Sequence, residues 1–431
     1  MSEMDPVSFF RDVASLRPRC FWLDGGGARE WSGRRSIIGW LHEDDPSLSW
    51  SAARREVTLH AGGSTQVVGD DVFTVLEERI AAGEQWFGYL GYAARTDLPA
   101  TPDPFLPDAV WMRPGEVRVF EHPSVVAEGR AGASAESPLE RGFSLLEGVA
   151  TASRSQDTPP STYAAAFGRV QEHLHAGNSY EVNLTHRLTR TSDLDPVAAY
   201  IRLRALNPAP YSGFLQHDVP GARAWLLSSS PERYALVTAD RHLETKPIKG
   251  TTPRGATPEE DEEQRGRLAR EPKTRAENLM IVDLLRNDLS LVCEVGSVEV
   301  PALMQVESYE SVHQLVSTVR GRLRDDVSTV AALRALFPAG SMTGAPKRRT
   351  MEVIEEVEAT PRGAYAGAFG WISGDGPADL GVVIRSLVTD GSGTWVLGTG
   401  GGITVQSDLP EEWAETQWKA ERLLRVFDQA L

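Results

Sequence analysis

Three cations, Lys246, Lys249 and Arg254, fall within nine residues of the string Glu244-Thr-Lys-Pro-Ile-Lys-Gly-Thr-Thr-Pro-Arg254. A lysine held in a Pro/Gly frame beside other cations can lose its proton more readily and act as a nucleophile. A solvated basic loop is the plainer reading of the same residues. Ser230-Pro-Glu232-Arg sets a carboxylate on the rim of a turn, where it suits either a surface ion pair or a general acid.

Further carboxylates recur on two expected helices. Glu277, Ile281, Leu284 and Asp288 fall on one side of the first, and Glu412 and Glu415 share a face of the last at i,i+3. Acids gathered from distant helices offer the oxygen ligands that Mg²⁺ requires; two charged faces in solvent are the alternative. Tyr365 and Arg385 are centred on position 375, inside the turn Gly374-Asp-Gly-Pro377, so a hairpin places them opposite one another. An arginine in the run Gly-Val-Val-Ile-Arg385-Ser-Leu-Val needs an anion if it faces inward. A substrate carboxylate, held by a bidentate fork, and an internal acid both meet that need. Gly400-Gly-Gly402 can bring backbone N–H groups to an oxyanion or simply make a tight turn.

Nucleotide motifs fail. Gly340-Ser-Met-Thr-Gly344-Ala-Pro-Lys347 has the wrong spacing for a phosphate-binding loop, and Ile403 stands where a dinucleotide fingerprint needs its third glycine. No HExxH, paired CxxC or GxSxG string occurs.

The elements that must position these groups are partly marked. Tyr163, Phe167, Val170 and Leu174 recur at helical spacing, with Ser161 to cap the start and Gly177 to stop it. Tyr180, Val182, Leu184 and Leu188 alternate with Glu181, Asn183, Thr185 and Arg187, which predicts a half-buried strand. Strands are expected at 224–229 and 234–237, helical structure between about 258 and 290, and a hairpin from 365–373 and 380–389. Asp408 as N-cap, Glu411 at N3 and Pro410 in the first turn sign the last helix. Strands and helices intersperse without βαβ alternation. The expected fold is therefore α+β, a large intertwined domain of antiparallel sheets packed together with helices outside. Residues 1–125 read as a β-rich region, and 126–161 as an Ala/Ser/Pro-rich connection with one short helix near 139–146. Residues 162–431 read as the catalytic region.

The 431 residues carry 44 Lys+Arg against 60 Asp+Glu, a net charge of −16, which argues against nucleic acid or an anionic membrane as partner. No run approaches the ~18 apolar residues of a membrane span, and the acidic start lacks a signal-peptide pattern. Two cysteines, Cys20 and Cys293, are too few for a disulfide scaffold. A soluble, cytoplasmic protein is expected.

Taken in order, several strings resemble the chorismate-utilising enzymes. They are Gly177-Asn-Ser-Tyr-Glu-Val-Asn-Leu-Thr-His-Arg, Ser230-Pro-Glu-Arg, Pro247-Ile-Lys-Gly-Thr, Arg275-Ala-Glu-Asn-Leu-Met-Ile-Val-Asp-Leu-Leu-Arg-Asn-Asp, Phe337-Pro-Ala-Gly-Ser-Met-Thr-Gly-Ala-Pro-Lys and Tyr365-Ala-Gly-Ala-Phe-Gly. The likeness is greatest to component I of aminodeoxychorismate synthases, with anthranilate synthase component I next. Lys249 resembles the lysine nucleophile of the former, where the latter usually has alanine.

The resemblance implies Mg²⁺-dependent amination of chorismate at C4 through a Lys249 adduct. It casts Glu232 as general acid/base and His313 as a histidine near the reacting ring. Glu277 and Glu415 would be the metal ligands, with Glu412 helping through water. Tyr365, Arg385, Thr251, Gly250, Gly400 and Gly402 would be the substrate contacts. It implies ammonia delivered by a glutamine amidotransferase subunit, for folate or for a specialised metabolite. His186 departs from the pattern, standing where relatives usually carry Gln. Anthranilate synthesis in a lysine-containing variant, and a silent chorismate-family binding protein, are the competing expectations.

Overall fold

In the computed structural model, residues 5–25, 35–122, 158–309 and 312–428 are described. The expected connection at 126–161 and its short helix near 139–146 lie mostly or wholly outside these residues. Among the described residues the strands form a nine-stranded and a twelve-stranded sheet, both antiparallel. Each sheet draws on both ends of the chain. In the first, Arg19–Asp24 pairs with Tyr211–His217; in the second, Gln85–Leu90 pairs with Ala368–Ser373. The early residues therefore complete the same sheets that carry the later motifs.

Where the two sheets face one another the packing is apolar. Phe21 stacks on Phe87 with ring centroids 4.1 Å apart, and Leu215, Leu226, Val110 and Phe369 fill the space around them. Helices cover the outer faces. Helix 161–175 buries Tyr163, Phe167, Val170 and Leu174 against strand Glu181–Thr191 and helix 347–357. Its cap is Pro160 rather than Ser161, and Gly177 turns the chain at φ +73° just beyond it. Asp408 caps helix Leu409–Leu424 by accepting from the Glu411 N–H.

The hairpin forms about the expected centre, but its second strand, expected at 380–389, is divided: Ala378–Val382 pairs with Ala368–Ser373, Ser386–Thr389 joins the other sheet, and Arg385 turns the chain between them at φ +51°. Ala368 faces Val382 and Gly370 faces Leu380, so pairing is centred on position 375. Strand Glu181–Thr191 is different from a half-buried strand. Glu181, Asn183 and Thr185 are all buried, because their polar face meets protein rather than solvent. Helical structure at 258–290 divides into Pro258–Arg270 and Pro272–Ser290.

Strand 181–191 is anchored by one buried arginine. Arg362 donates to Asn183 O (2.7 Å) and Met342 O (2.6 Å) and pairs with Glu358 at 2.7 Å. Glu358 in turn accepts from the N–H and hydroxyl of Thr185, both at 2.8 Å. Arg362→Met would leave the buried Glu358 carboxylate without its cation and two carbonyls unmet, with an expected loss of about 3 kcal/mol. Urea unfolding measures it; a loss under about 1 kcal/mol would show that the strand is held otherwise.

Candidate active site

A cleft of about 710 Å³ opens between the strands Ile248–Pro253 and Thr394–Ile403 and the helices Pro272–Ser290 and Leu409–Leu424. The basic string is not a solvated loop. Lys246 pairs with Glu307 at 2.7 Å and Arg254 with Asp261 at 2.6 Å, whereas Lys249 is buried and turned into the cleft. Gly250 follows at φ +82°, and a Cβ there would lie 2.4 Å from Thr274 Cγ2, so only glycine lets this strand meet the helix.

Lys249 Nζ donates to Glu181 Oε1 at 2.5 Å. Burial alone would lower the lysine's pKa, but Glu181 and then Glu277 outweigh it and raise it above the ordinary value. The unliganded lysine is therefore an ammonium, not the free amine its flanking cations suggested. A neutral amine there would need a neighbouring base, and Glu181 is the carboxylate in hydrogen-bond contact. Gly402 makes room for the pair: a Cβ there would sit 2.2 Å from Glu181 Oε1 and 3.0 Å from Lys249 Nζ.

Glu232, in the turn before strand Arg233–Val237, is buried and accepts from the Ser341 hydroxyl at 2.6 Å. Burial pushes its pKa up to about 7, against the Ser341 hydrogen bond and Lys249. It can therefore give and recover a proton near neutrality.

Glu277, Glu412 and Glu415 line the same cleft. Burial pushes Glu277 up to about 7, with Lys249 opposing, and among the described residues it has no hydrogen-bond partner. Glu412 accepts from Lys273 at 2.7 Å, and Glu415 pairs with Lys419 at 2.5 Å. Burial works to raise Glu415, but Lys419, Lys249 and Lys273 prevail and leave it below its usual range. No cluster of three or more His, Cys, Asp or Glu converges as a metal cage among the described residues. The donor chemistry nonetheless fits a hard cation. Glu412 and Glu415 both face Gly401, Glu277 is unpartnered, and the lysines now answer charge that a divalent ion would answer.

Tyr365, Arg385 and Thr251 also line the cleft. The Tyr365 ring lies flat against Gly398, where a Cβ would come within 2.2 Å of it. Gly400 and Gly402 oppose Thr185 and Asn183. Asn183 N–H donates to Thr343 O and Thr185 N–H to Glu358, so these are non-hydrogen-bonded pairs of the ladder. The N–H groups of Gly400 and Gly402 consequently point away from that strand.

One expected residue lies elsewhere. His313 is fully buried outside the cleft lining, with its ring nitrogens bonded to Ser308 Oγ (2.8 Å) and Asp261 (2.9 Å). Strand residues alternate sides, and it is Gln314 that reaches the cleft. His186 packs on Tyr163 and Trp413 behind the site, and burial holds it neutral with a pKa drawn down to about 4. Glu181, Ser341, Lys273, Lys419 and Gln314 were not singled out for roles; the polar face of strand 181–191 was the available signal for Glu181.

Residues 19–425 match the family described as chorismate binding enzyme. The chain belongs to this family. It is 39% identical to an aminodeoxychorismate synthase of Streptomyces pristinaespiralis over 99% of this chain and 64% of that protein. It is 46% identical to aminodeoxychorismate synthase component 1 of Klebsiella aerogenes over 62% of this chain and 58% of that one. The chain thus spans less than two thirds of the length of these curated relatives. The crystal structure of anthranilate synthase component I from Streptococcus pneumoniae TIGR4 superposes with a TM-score of 0.70. It has 26% identity and covers 91% of this chain and 92% of that one. The α+β architecture of intertwined antiparallel sheets is shared with it. No helix among the described residues is long and apolar enough to cross a membrane.

The raised carboxyls predict a pH dependence. Glu232 and Glu277 keep protons to about pH 7 that the unfolded chain releases near 4.5. The folded state then binds more protons between those values, so stability falls as pH rises through that window. Glu232→Gln with Glu277→Gln should flatten this fall in Tm between pH 4.5 and 7.5; an unchanged slope would assign it to other groups.

Proposed function

We propose that the cleft aminates chorismate at C4 with ammonia, giving 4-amino-4-deoxychorismate, with Lys249 as the transient nucleophile. The observation that carries this reading is the buried Lys249 in contact with Glu181 and in the field of Glu232 and Glu277. The 39–46% identity to aminodeoxychorismate synthases supports the same reaction class.

The proton inventory closes. Glu181 takes a proton from Lys249, whose free amine attacks ring carbon C2 while both ring double bonds shift by one position (C1=C2 to C1=C6, C5=C6 to C4=C5) and the C4 hydroxyl departs. Glu232 protonates that hydroxyl, which leaves as water. Ammonia then attacks C4, both double bonds shift back, and Lys249 leaves C2, recovering its proton from Glu181. The carboxylate of Glu232 accepts the proton shed by the new C4 amine. Protonation of this kind contributes roughly 10²–10⁴-fold. The substrate is a dianion. Arg385 and Tyr365, with the N–H groups of Gly400 and Gly402, are placed to hold its side-chain carboxylate. Glu277, Glu415 and Glu412 would hold Mg²⁺, which when bound neutralises the ring carboxylate and draws electron density from the ring.

Ammonia would come from a glutamine amidotransferase subunit, in keeping with the "component 1" in the name of the Klebsiella relative. The product would feed p-aminobenzoate formation, for folate or a specialised metabolite, in the cytoplasm. Anthranilate synthesis is the second reading, favoured by the 0.70 TM-score to an anthranilate synthase component I; it requires loss of pyruvate.

Mass identification of the product from chorismate, Mg²⁺ and ammonium tests the assignment. An amino compound that retains the pyruvyl group is expected, and fluorescent anthranilate with free pyruvate would overturn it. Lys249→Ala should lower the rate at least about 100-fold; an unchanged rate removes Lys249 from the nucleophile's role. Glu277→Gln and Glu415→Gln should abolish the response to added Mg²⁺, and an unaltered response in both would refute the metal assignment.

A further inference from the structure

A side hollow of about 60 Å³ opens off the main cleft. A water-sized molecule occupies roughly 30 Å³ in the liquid, so the hollow has room for a molecule of that size and none for a six-membered ring. It meets the cleft along Pro231, Thr251, Gln314, Arg385 and Trp418, and Arg422 lines the hollow alone. Pro231 directly precedes Glu232, so the hollow opens beside the carboxyl assigned to the C4 oxygen.

Its polar groups are not all answered. Asn207 and Ser229 satisfy one another, the Asn207 amide donating to Ser229 Oγ at 2.8 Å and the Ser229 hydroxyl to Asn207 O. Gln314 lies opposite Thr251, two residues beyond Lys249 in the facing strand. It is 5% exposed, and its Oε1 accepts from nothing among the described residues. A buried carbonyl of this kind calls for a donor, and the space in front of it admits only a small one.

The charge around the hollow differs from that of the cleft. Glu232, Glu277, Glu412 and Glu415 line the cleft, whereas no carboxylate among the described residues lines the hollow. Arg385 lies over the Trp418 ring at 5.3 Å, and neither its guanidinium nor that of Arg422 has an ion pair among the described residues. Burial, and then the charge of Arg422, draws Arg385 down to about 10. A passage edged by unanswered cations repels small cations and leaves a neutral donor free to pass. Ammonia is such a donor. At neutral pH most of it in water is ammonium, which the cleft carboxylates attract and which has no lone pair for attack. Ammonia that gives an N–H to Oε1 keeps its lone pair free for the ring.

We propose that this hollow is the ammonia subsite of the cleft. Gln314 Oε1 accepts an N–H of neutral ammonia and orients it toward C4, while Arg422 at the outer edge turns ammonium away. The proposal rests on the reading of the cleft as a chorismate-aminating site. Gln314 and Arg422 bind and sort the nucleophile, and neither exchanges a proton with the reacting atoms.

The test is steady-state amination of chorismate with Mg²⁺ across ammonia concentration at one fixed pH. Ionic strength is held either with tetramethylammonium chloride, whose cation is too large for the hollow, or with potassium chloride, whose cation is the size of ammonium. The proteins are wild type, Gln314→Met, Arg422→Gln and Arg425→Gln. Arg425 is exposed, lines neither cavity and controls for net charge. Mass detection of the chorismate adduct on Lys249 without ammonium reports separately on the cleft. Gln314→Met should raise the KM for ammonia about tenfold, keep the chorismate KM within about twofold of wild type and still form the adduct. Potassium should raise the ammonia KM of Arg422→Gln at least about threefold and leave those of wild type and Arg425→Gln unchanged. An ammonia KM in Gln314→Met within about twofold of wild type, with the adduct present, refutes the subsite and leaves the cleft reading standing. Loss of the adduct in Gln314→Met would assign Gln314 to chorismate and refute it too, and an equal potassium response in wild type and Arg422→Gln refutes the sorting of ammonium. A wild type that forms neither adduct nor amine refutes both readings.

Discussion

Lys249 sits 2.5 Å from Glu181 at the floor of a cleft whose wall also carries Glu232, Glu277, Glu412 and Glu415. Much of the local structure follows from keeping that charge array in balance. Removing water from a charge is costly, and a buried charge persists only when paired and hydrogen-bonded. Here Lys249 answers Glu181, Lys273 answers Glu412 and Lys419 answers Glu415. Glu232 and Glu277 have no direct ion pair and respond by holding protons to about pH 7. Gly402 exists in this setting as absent volume, since any side chain there would drive Lys249 and Glu181 apart.

The sheets supply the rigidity that such an array needs. Strand 181–191 brings Glu181 under the lysine. Arg362 and Glu358 pin that strand from its far side through three hydrogen bonds to its backbone or hydroxyl groups. The glycine run 398–402 flattens one wall, so that the Tyr365 ring and the helix carboxylates can close upon it. The net charge of −16 therefore tells little about the ligand. Carboxylates and Arg385 line the same cleft, a set of groups suited to a cation and a carboxylate together.

Local chemistry in the sequence showed a good deal of this. The turn at 374–377 set the hairpin's centre, and with it the neighbourhood of Tyr365 and Arg385, because strand pairing about a tight turn allows one register. Asp408 capped the last helix as its residue type required. The errors came from groups whose partners are remote in sequence. Lys249 looked like a lysine of lowered pKa from its basic neighbours. Lys246 and Arg254 are spent on Glu307 and Asp261, however, and the deciding partner, Glu181, is sixty-eight residues away. His313 was placed near the ring by resemblance, whereas in this chain its neighbour Gln314 faces the cleft. Only the tertiary fold states which of two adjacent strand residues faces inward.

The central claim is that Lys249, deprotonated by Glu181, bonds to the substrate ring. Intact-protein mass spectrometry with chorismate and Mg²⁺ but no ammonium, followed by peptide mapping, tests it most directly. The account predicts a single adduct of chorismate less water on the peptide that contains Lys249, which disappears when ammonium is added. Turnover with no adduct on that peptide under any quenching time, or an adduct on another residue, would contradict it.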